Sequence, residues 1–405
     1  MSIERKNMKT ITLADLVAGC ADDSFDAGIR IESELEPLGG RGASVKPAVY
    51  EGGEYQRDQR WANENDEKPA PVIVIDNVPS QANRLEEAIR SQRDILEVPE
   101  FVLDLSELTH LPAHLPREIS SWHFPHRVAD AYLRDSQLDG VDFLRTELGR
   151  ALADATPWSA APLIEWFPGA ALYGYWQSHL GKKRANTKHA RAWVSEIVGW
   201  HPAAVETKVK GLKGDPLNLN TDAVVTSNPD DRVKWDIGKV ARSDAKVDKL
   251  SEMGHGQVPF MRDSDATAAA VSFSRVTQTA TVSFAQLRRI SLGSTYSADA
   301  NTAARALLVA LGLHAHVLAF GRGFALRSGA DLRVVSTRTE WLGSDGDEER
   351  DLGGASSTGD LLASARAHAA SLGVPLSGWG REPVLLTPKA NLRDAIEATW
   401  PEPSE

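Results

Sequence analysis

The sequence predicts a mixed α+β fold, and three stretches predict it. Val72-Ile73-Val74-Ile75 is a β-branched run of buried-strand character, and Leu85, Ala88 and Ile89 recur at helical spacing behind it. Val271 to Ile290 alternates, with Val276, Ala280, Val282 and Phe284 interleaved among Ser, Thr and Gln. The most apolar run of the chain, Ala303 to Phe320, reads as a long core helix over 302–320, with Asp299 or Asn301 as its expected cap.

In chain order, residues 9–20 predict a short helix opened by Thr12 or Asp15, and Gly28 to Glu36 a first strand carrying Ile29, Ile31 and Leu35 inward. Pro37, Gly39, Gly40 and Gly42 make a flexible loop that carries Arg41 and Lys46. Such glycines let a backbone approach a ligand, and they serve ordinary turns equally well. The strand at 72–75 stops at Asn77 and Pro79, because proline cannot donate to a ladder. Ser80 reads as the N-cap of a helix at 80–96, which puts Ser80, Gln81, Asn83 and Arg84 on its first turn. Free N–H groups there favour an anion. The same residues also describe a well-capped helix with a polar face toward water.

Val98 to Leu105 predicts another strand, and Val128 to Leu152 a helical stretch broken near Gly140. His123 and His126 match no zinc spacing, so a structural or hydrogen-bonding role is expected of them. Trp166, Phe167, Tyr173, Tyr175 and Trp176 are expected in the core, with base stacking as the alternative. Large apolar residues thin out between about Thr207 and Asp265, as in a polar insertion. Gly321 to Gly329 is a glycine-rich loop leading into a strand at Val334-Val335; no Gly-Lys-Ser/Thr ends it, so it is not a Walker loop. From Leu361 onward two small helices are expected around Pro375 and Pro388, with no functional signal.

Composition narrows the function classes. The 405 residues include a single cysteine, Cys20, so no intrachain disulfide can form and a reducing, cytoplasmic location is expected. A net charge of -11 counts against a general nucleic-acid binder. The charge is segregated, however. No acid falls between Glu165 and Glu196, a window holding Lys182, Lys183, Arg184, Lys188 and Arg191. From Ala266 to Ala330 Asp299 is the only acid, against Arg275, Arg288, Arg289, Arg305, Arg322 and Arg327. One basic groove on an acidic body fits that pattern. The apolar run at 303–320 contains Arg305, His314 and His316 and reads as core rather than as a membrane span.

Ser80-Gln81-Ala82-Asn83-Arg84-Leu85-Glu86 resembles the strand-then-helix signature of the type I-G (formerly I-U) CRISPR Cascade backbone subunit, a RAMP-superfamily protein. It is also similar to the Ser-Gln-x-x-Lys/Arg motif of other Cascade backbone subunits, where that turn lies against the guide RNA. Further elements follow in the family's order. They are a proline-tyrosine element at Pro47 to Tyr50, then Ser195-Glu196-Ile197-Val198-Gly199, then Ser251-Glu252-Met253-Gly254-His255-Gly256-Gln257, with Gln257 where the family has asparagine. Leu287-Arg288-Arg289-Ile290 resembles a Leu-Arg-Arg-Leu element, and Gly321 to Gly329 the superfamily's glycine-rich loop.

The resemblance implies an RRM-like, ferredoxin-type core with an antiparallel sheet, in one elaborated domain over 1–405. It implies a mainly helical insertion at 110–200, a thumb-like hairpin insertion at 206–265 and a C-terminal helical tail at 361–405. It implies a non-catalytic subunit that polymerises along guide RNA and presents it to target DNA, beside other Cascade subunits and copies of itself. No cofactor, metal or membrane is expected. The RNA-binding residues expected are Arg41, Ser80, Gln81, Asn83, Arg84, Lys182, Lys183, Arg184, Lys188, His255, Gln257, Arg288, Arg289, Arg322 and Arg327. Two other classes stay open. One is a RAMP endoribonuclease drawing on His123, His126, His255 and Asp76. The other is an oligomeric scaffold whose basic segments are solvated faces.

Overall fold

Alternation along Gly28–Pro37 (β1) buries Ile29, Ile31, Ser33 and Leu35 on one face and exposes Glu32 and Glu34 on the other. This strand is the axis of an eight-stranded sheet in the computed structural model. Residues 8–51, 54–63, 65–109, 111–180, 187–203, 209–213, 216–217, 219–220, 222–228, 233–239, 246–255, 258–262 and 270–400 are described. The remaining strands are Arg57–Arg60 (β2), Ala70–Asp76 (β3), Trp193–Pro202 (β4), Phe273–Ser283 (β5), Phe324–Ala325 (β6), Asp331–Gly343 (β7) and Gly346–Arg350 (β8). They run in the order β6-β7-β1-β5-β4-β3-β2, with β8 also on β7. Every pairing in the sheet is antiparallel.

Four helices matter for the site: Leu13–Cys20 (α1), Val78–Arg90 (α2), Ala298–Phe320 (α3) and Ala355–Ser371 (α4). Along the chain β1, α2, β4, β5, α3 and β7 make a βαββαβ succession whose strands lie in the order β7-β1-β5-β4. The fold is α+β, and an RRM-like core is compatible with this order. Strands β2 and β3 extend the sheet beyond β4.

Long additions interrupt that succession. Between α2 and β4 lie short helices and short strands. Between β4 and β5, Val209–Lys213 pairs with Val258–Arg262 as an antiparallel ribbon, and Val224–Ser227 is flanked by Trp235–Ile237 and Lys246–Lys249. The tail, expected to be helical, also contributes a strand. Val384–Pro388 pairs in parallel with Phe101–Asp104 and antiparallel with Ser136–Leu138, closing a second sheet of five strands.

Helix α3 is buried on nearly every side, as a helix apolar all round must be. It alone among the described residues is long and apolar enough to cross a membrane, and 83% of its most apolar window is buried in the protein. A side chain at Gly312 would come within 2.7 Å of the Trp193 ring, so the missing Cβ is what lets α3 settle on β4. Its cap is Ser297, whose hydroxyl accepts from the Ala300 N–H, and not Asp299 or Asn301. The helix starts a turn earlier than expected, which leaves Asp299 in the first turn to complement the dipole and frees Asn301 to accept from the Leu292 N–H. At α1 the expected Thr12 cap forms, with Asp15 closing a capping box.

Candidate functional site

Asp76 ends β3 with its side chain wholly buried. A bulge where Ile197 and Val198 meet β3 turns it toward the helices. Five donors surround its carboxylate. Oδ1 accepts from Ser80 Oγ at 2.8 Å, Arg84 Nη2 at 3.2 Å and Arg327 Nη2 at 2.8 Å. Oδ2 accepts from Gln81 Nε2 at 2.5 Å and Arg84 Nε at 2.8 Å. The sequence spacing explains three of the partners: Ser80, Gln81 and Arg84 stand one and two turns into α2, on the face that looks back at the strand.

The arrangement is then locked to its surroundings. Arg84 Nη2 also donates to the Leu326 carbonyl at 3.0 Å, and Arg327 Nη1 to the carbonyls of Lys46 and Ile75 at 3.1 and 3.0 Å. Gln278 Nε2 of β5 donates to Gln81 Oε1 at 2.7 Å. Asn77 caps α2 by accepting from the Ser80 N–H at 3.2 Å, and its Nδ2 donates to Tyr50 Oη at 2.7 Å. Burial, aided by the Asp76 charge, pushes the Tyr50 hydroxyl above its ordinary pKa, and Arg327 opposes that shift. Segments around 46–50, 76–84 and 326–327 thus meet at one point.

One carboxylate facing two guanidiniums leaves a net positive charge. Both arginines keep access to water, with side chains 26% exposed for Arg84 and 24% for Arg327. Among the described residues no hydrogen bond or ion pair engages the Lys46 ammonium or the Arg322 guanidinium. Arg322 and Asn83 are exposed, and with Arg84 they line a cleft of about 1120 Å³ between α2, the end of α3 and β7. Its floor includes Ser33 and Thr337, whose hydroxyls bond at 3.0 Å.

This geometry corrects several expectations. Ser80 is not the N-cap of α2; Asn77 is, and Pro79 sits in the first turn. The motif reads in sequence as Ser80, Gln81 and Arg84 offering donors to an outside anion, but Asp76 takes donors from all three. Gln81 has no solvent access, so its amide is turned to Asp76 and Gln278 rather than to the surface. Asn83 alone of that group is fully at the surface. Arg288 is a structural clamp, donating to the carbonyls of Gly19 and Asp26 at 3.0 Å each. With Arg289 it lies beyond the Gly28 end of β1, whereas Arg327 lies at the Pro37 end. Arg41 is exposed in the loop after β1. His255 rests against the Trp235 ring at 5.6 Å, and Lys188 over the Trp176 ring at 4.6 Å. Lys182, Lys183, Arg184 and Gln257 lie outside the described residues.

Sequence reasoning missed the hub. Its signal was present: an aspartate closing a β-branched run, followed at helical spacing by Ser, Gln and Arg on one face. It also missed a second buried pair on α2. Glu86 takes both oxygens to Arg127, at 2.7 and 2.9 Å, and Arg127 Nη1 reaches the Gly174 carbonyl at 3.0 Å. Burial pushes the Glu86 carboxyl up, and Arg127 pulls it back. Among the described residues, His123, His126, His255 and Asp76 do not bond to one another; His123 Nε2 bonds Glu87 at 2.6 Å instead. Among the same residues no group of three or more His, Cys, Asp or Glu side chains could hold a metal ion.

Residues 29–203 match the family of CRISPR-associated protein GSU0053. The chain is therefore similar to a CRISPR-associated family across just under half its length. The matched span runs from β1 to the end of β4. It contains Asp76, Arg84 and the Glu86–Arg127 pair, and it stops short of Arg327 and α3. No curated protein matches the chain.

Proposed function

We propose that this chain is the backbone subunit of a type I CRISPR effector complex, of the I-G kind, and binds guide RNA without cutting it. The observation that carries the reading is the convergence on Asp76. Three segments remote in sequence come together there and set two guanidiniums against one carboxylate, with Arg84 lining a cleft that also holds Arg322, Arg350, Glu87, Glu349 and Asp351. Lys46, Asn83, Arg322 and the outer edges of Arg84 and Arg327 would hold the phosphate backbone of the guide. The buried carboxylate orients the two guanidiniums, so less side-chain freedom is lost when RNA arrives. The protein would read backbone and shape, and base pairing with target DNA would supply sequence.

Similarity to a CRISPR-associated family supports this reading. So does the βαββαβ order, which is compatible with a RAMP-type core. The antiparallel ribbon between β4 and β5 is the segment we assign as the thumb, bracing the guide as copies line up along it in the cytoplasm beside other Cascade subunits. Cleavage finds less support, because the histidines that would serve it are scattered. The test is purification of the chain with its neighbouring subunits, followed by sequencing of bound nucleic acid and incubation with labelled precursor RNA. Intact guide RNA in the complex and an uncut precursor are expected. Protein that carries no RNA and binds none would contradict the proposal, and a cut precursor would favour the endoribonuclease reading.

A further inference from the structure

A second surface, independent of the Asp76 cluster, stands on the hairpin formed by Tyr175–Gln177 and Thr187–His189. Its register pairs Tyr175 with His189, Trp176 with Lys188 and Gln177 with Thr187. Because side chains alternate across a strand, each pair takes one face. The Tyr175–His189 pair faces the body. Its rings stack at 5.7 Å, Tyr175 Oη donates to the Ala155 carbonyl at 3.1 Å, and His189 Nε2 bonds the Ala171 carbonyl at 2.9 Å. Gly174 enters the hairpin at a φ of +77°, where a side chain would stand 2.6 Å from the His189 carbonyl oxygen. The base of the hairpin is therefore fixed.

The Trp176–Lys188 pair is presented to solvent. Trp176 is 55% exposed, although its neighbours Phe167 and Tyr173 are buried in the core. The Lys188 ammonium sits 4.6 Å from the indole centroid, a cation–π arrangement that holds the ring in place. Arg191 is exposed just beyond, and the sequence carries no acid from Trp166 to Ser195. An acid-rich protein partner meets the cations and must supply a separate apolar side chain for the indole, whereas each nucleotide of a single strand carries both a ring and a phosphate. A strand with free bases uses both, since a base stacks on the ring while its phosphates meet the cations.

We infer that the Trp176–Lys188 hairpin is a stacking site for an unpaired nucleic-acid base, separate from the phosphate-holding cluster at Asp76. The inference rests on the hairpin alone. It is tested on the full chain with fluorescent oligomers of about 15 nucleotides, oligouridine and oligothymidine, beside a duplex of equal length. Trp176→Ala is expected to bind the single strands about 10-fold more weakly, and Trp176→Phe within about 3-fold of wild type, because a base stacks on either ring. Duplex binding should hold, since its bases are already stacked. A greater loss with oligouridine identifies RNA as the occupant, a greater loss with oligothymidine identifies DNA, and either supports the site. Wild-type affinity in Trp176→Ala would overturn it, as would an equal loss in Trp176→Phe or an equal loss on the duplex. The variants leave Lys46 and Arg322 intact, so failure here and failure of the guide-binding reading are separable.

Discussion

Arginines at the two ends of the central sheet make hydrogen bonds of similar quality and set two guanidiniums against one carboxylate at each end, but only one end has an arginine lining a cleft. Beyond the Gly28 end, Arg288 donates to the carbonyls of Gly19 and Asp26, and Arg305, only 3% exposed, donates to those of Ile290 and Cys20 and pairs with Asp22. Those groups pin α1, the turn before β1 and α3 to one another. At the Pro37 end Arg84 and Arg327 share one carboxylate and remain about a quarter exposed; among the described residues no hydrogen bond or ion pair engages the side chain of Lys46, whose carbonyl accepts from Arg327, or of Arg322, which lines the cleft with Arg84. The formal charge is one carboxylate against two guanidiniums at both ends, but only at the second does one of the arginines, Arg84, line the cleft. A basic residue is therefore informative about binding only when the surface it opens on is known as well as its counter-charge.

The largest effect that would sharpen the comparison comes from the shared partner. Asp76→Ala forces two guanidiniums to face each other without a carboxylate, and should cost about 3–5 kcal/mol of stability, read from urea unfolding. An unchanged midpoint would mean that the arginines do not depend on Asp76. A smaller effect is expected from single arginines at the two ends. Arg84→Ala and Arg288→Ala should each cost about 1–3 kcal/mol, because each leaves buried acceptors short of a donor. RNA affinity, measured under conditions where both proteins are folded, should fall with Arg84→Ala and hold with Arg288→Ala. Equal losses would erase the distinction between the two ends.

Much of the architecture was legible because it depends on local pattern. The alternation in β1 and β5, the β-branched run of β3 and the apolar length of α3 each specify an element regardless of its neighbours. The caps were less legible: Asn77, Ser80, Ser297 and Asp299 are all competent, and packing chose among them. The strand at Val384–Pro388 could not be read, because its pairing partners lie more than 240 residues earlier in the sequence. The site was legible in composition and not in direction. The motif from Ser80 to Arg84 marks the right place, yet three of its side chains turn inward to an aspartate that reads, in sequence, as the end of a strand. Trp176 is the reverse case, an aromatic expected in the core that the hairpin register turns outward.

The most direct test uses the cations that the fold does not employ. In the Lys46→Ala, Arg322→Ala double variant, stability should stay within about 0.5 kcal/mol of wild type, since among the described residues neither side chain makes a hydrogen bond or ion pair. Guide-RNA affinity measured across salt concentrations should fall. The slope of log K against log salt should become shallower by about 0.7 for each phosphate released, or about 1.4 in all. A folded double variant with wild-type affinity and an unchanged slope would contradict the claim that the Asp76 cluster presents the phosphate-binding surface.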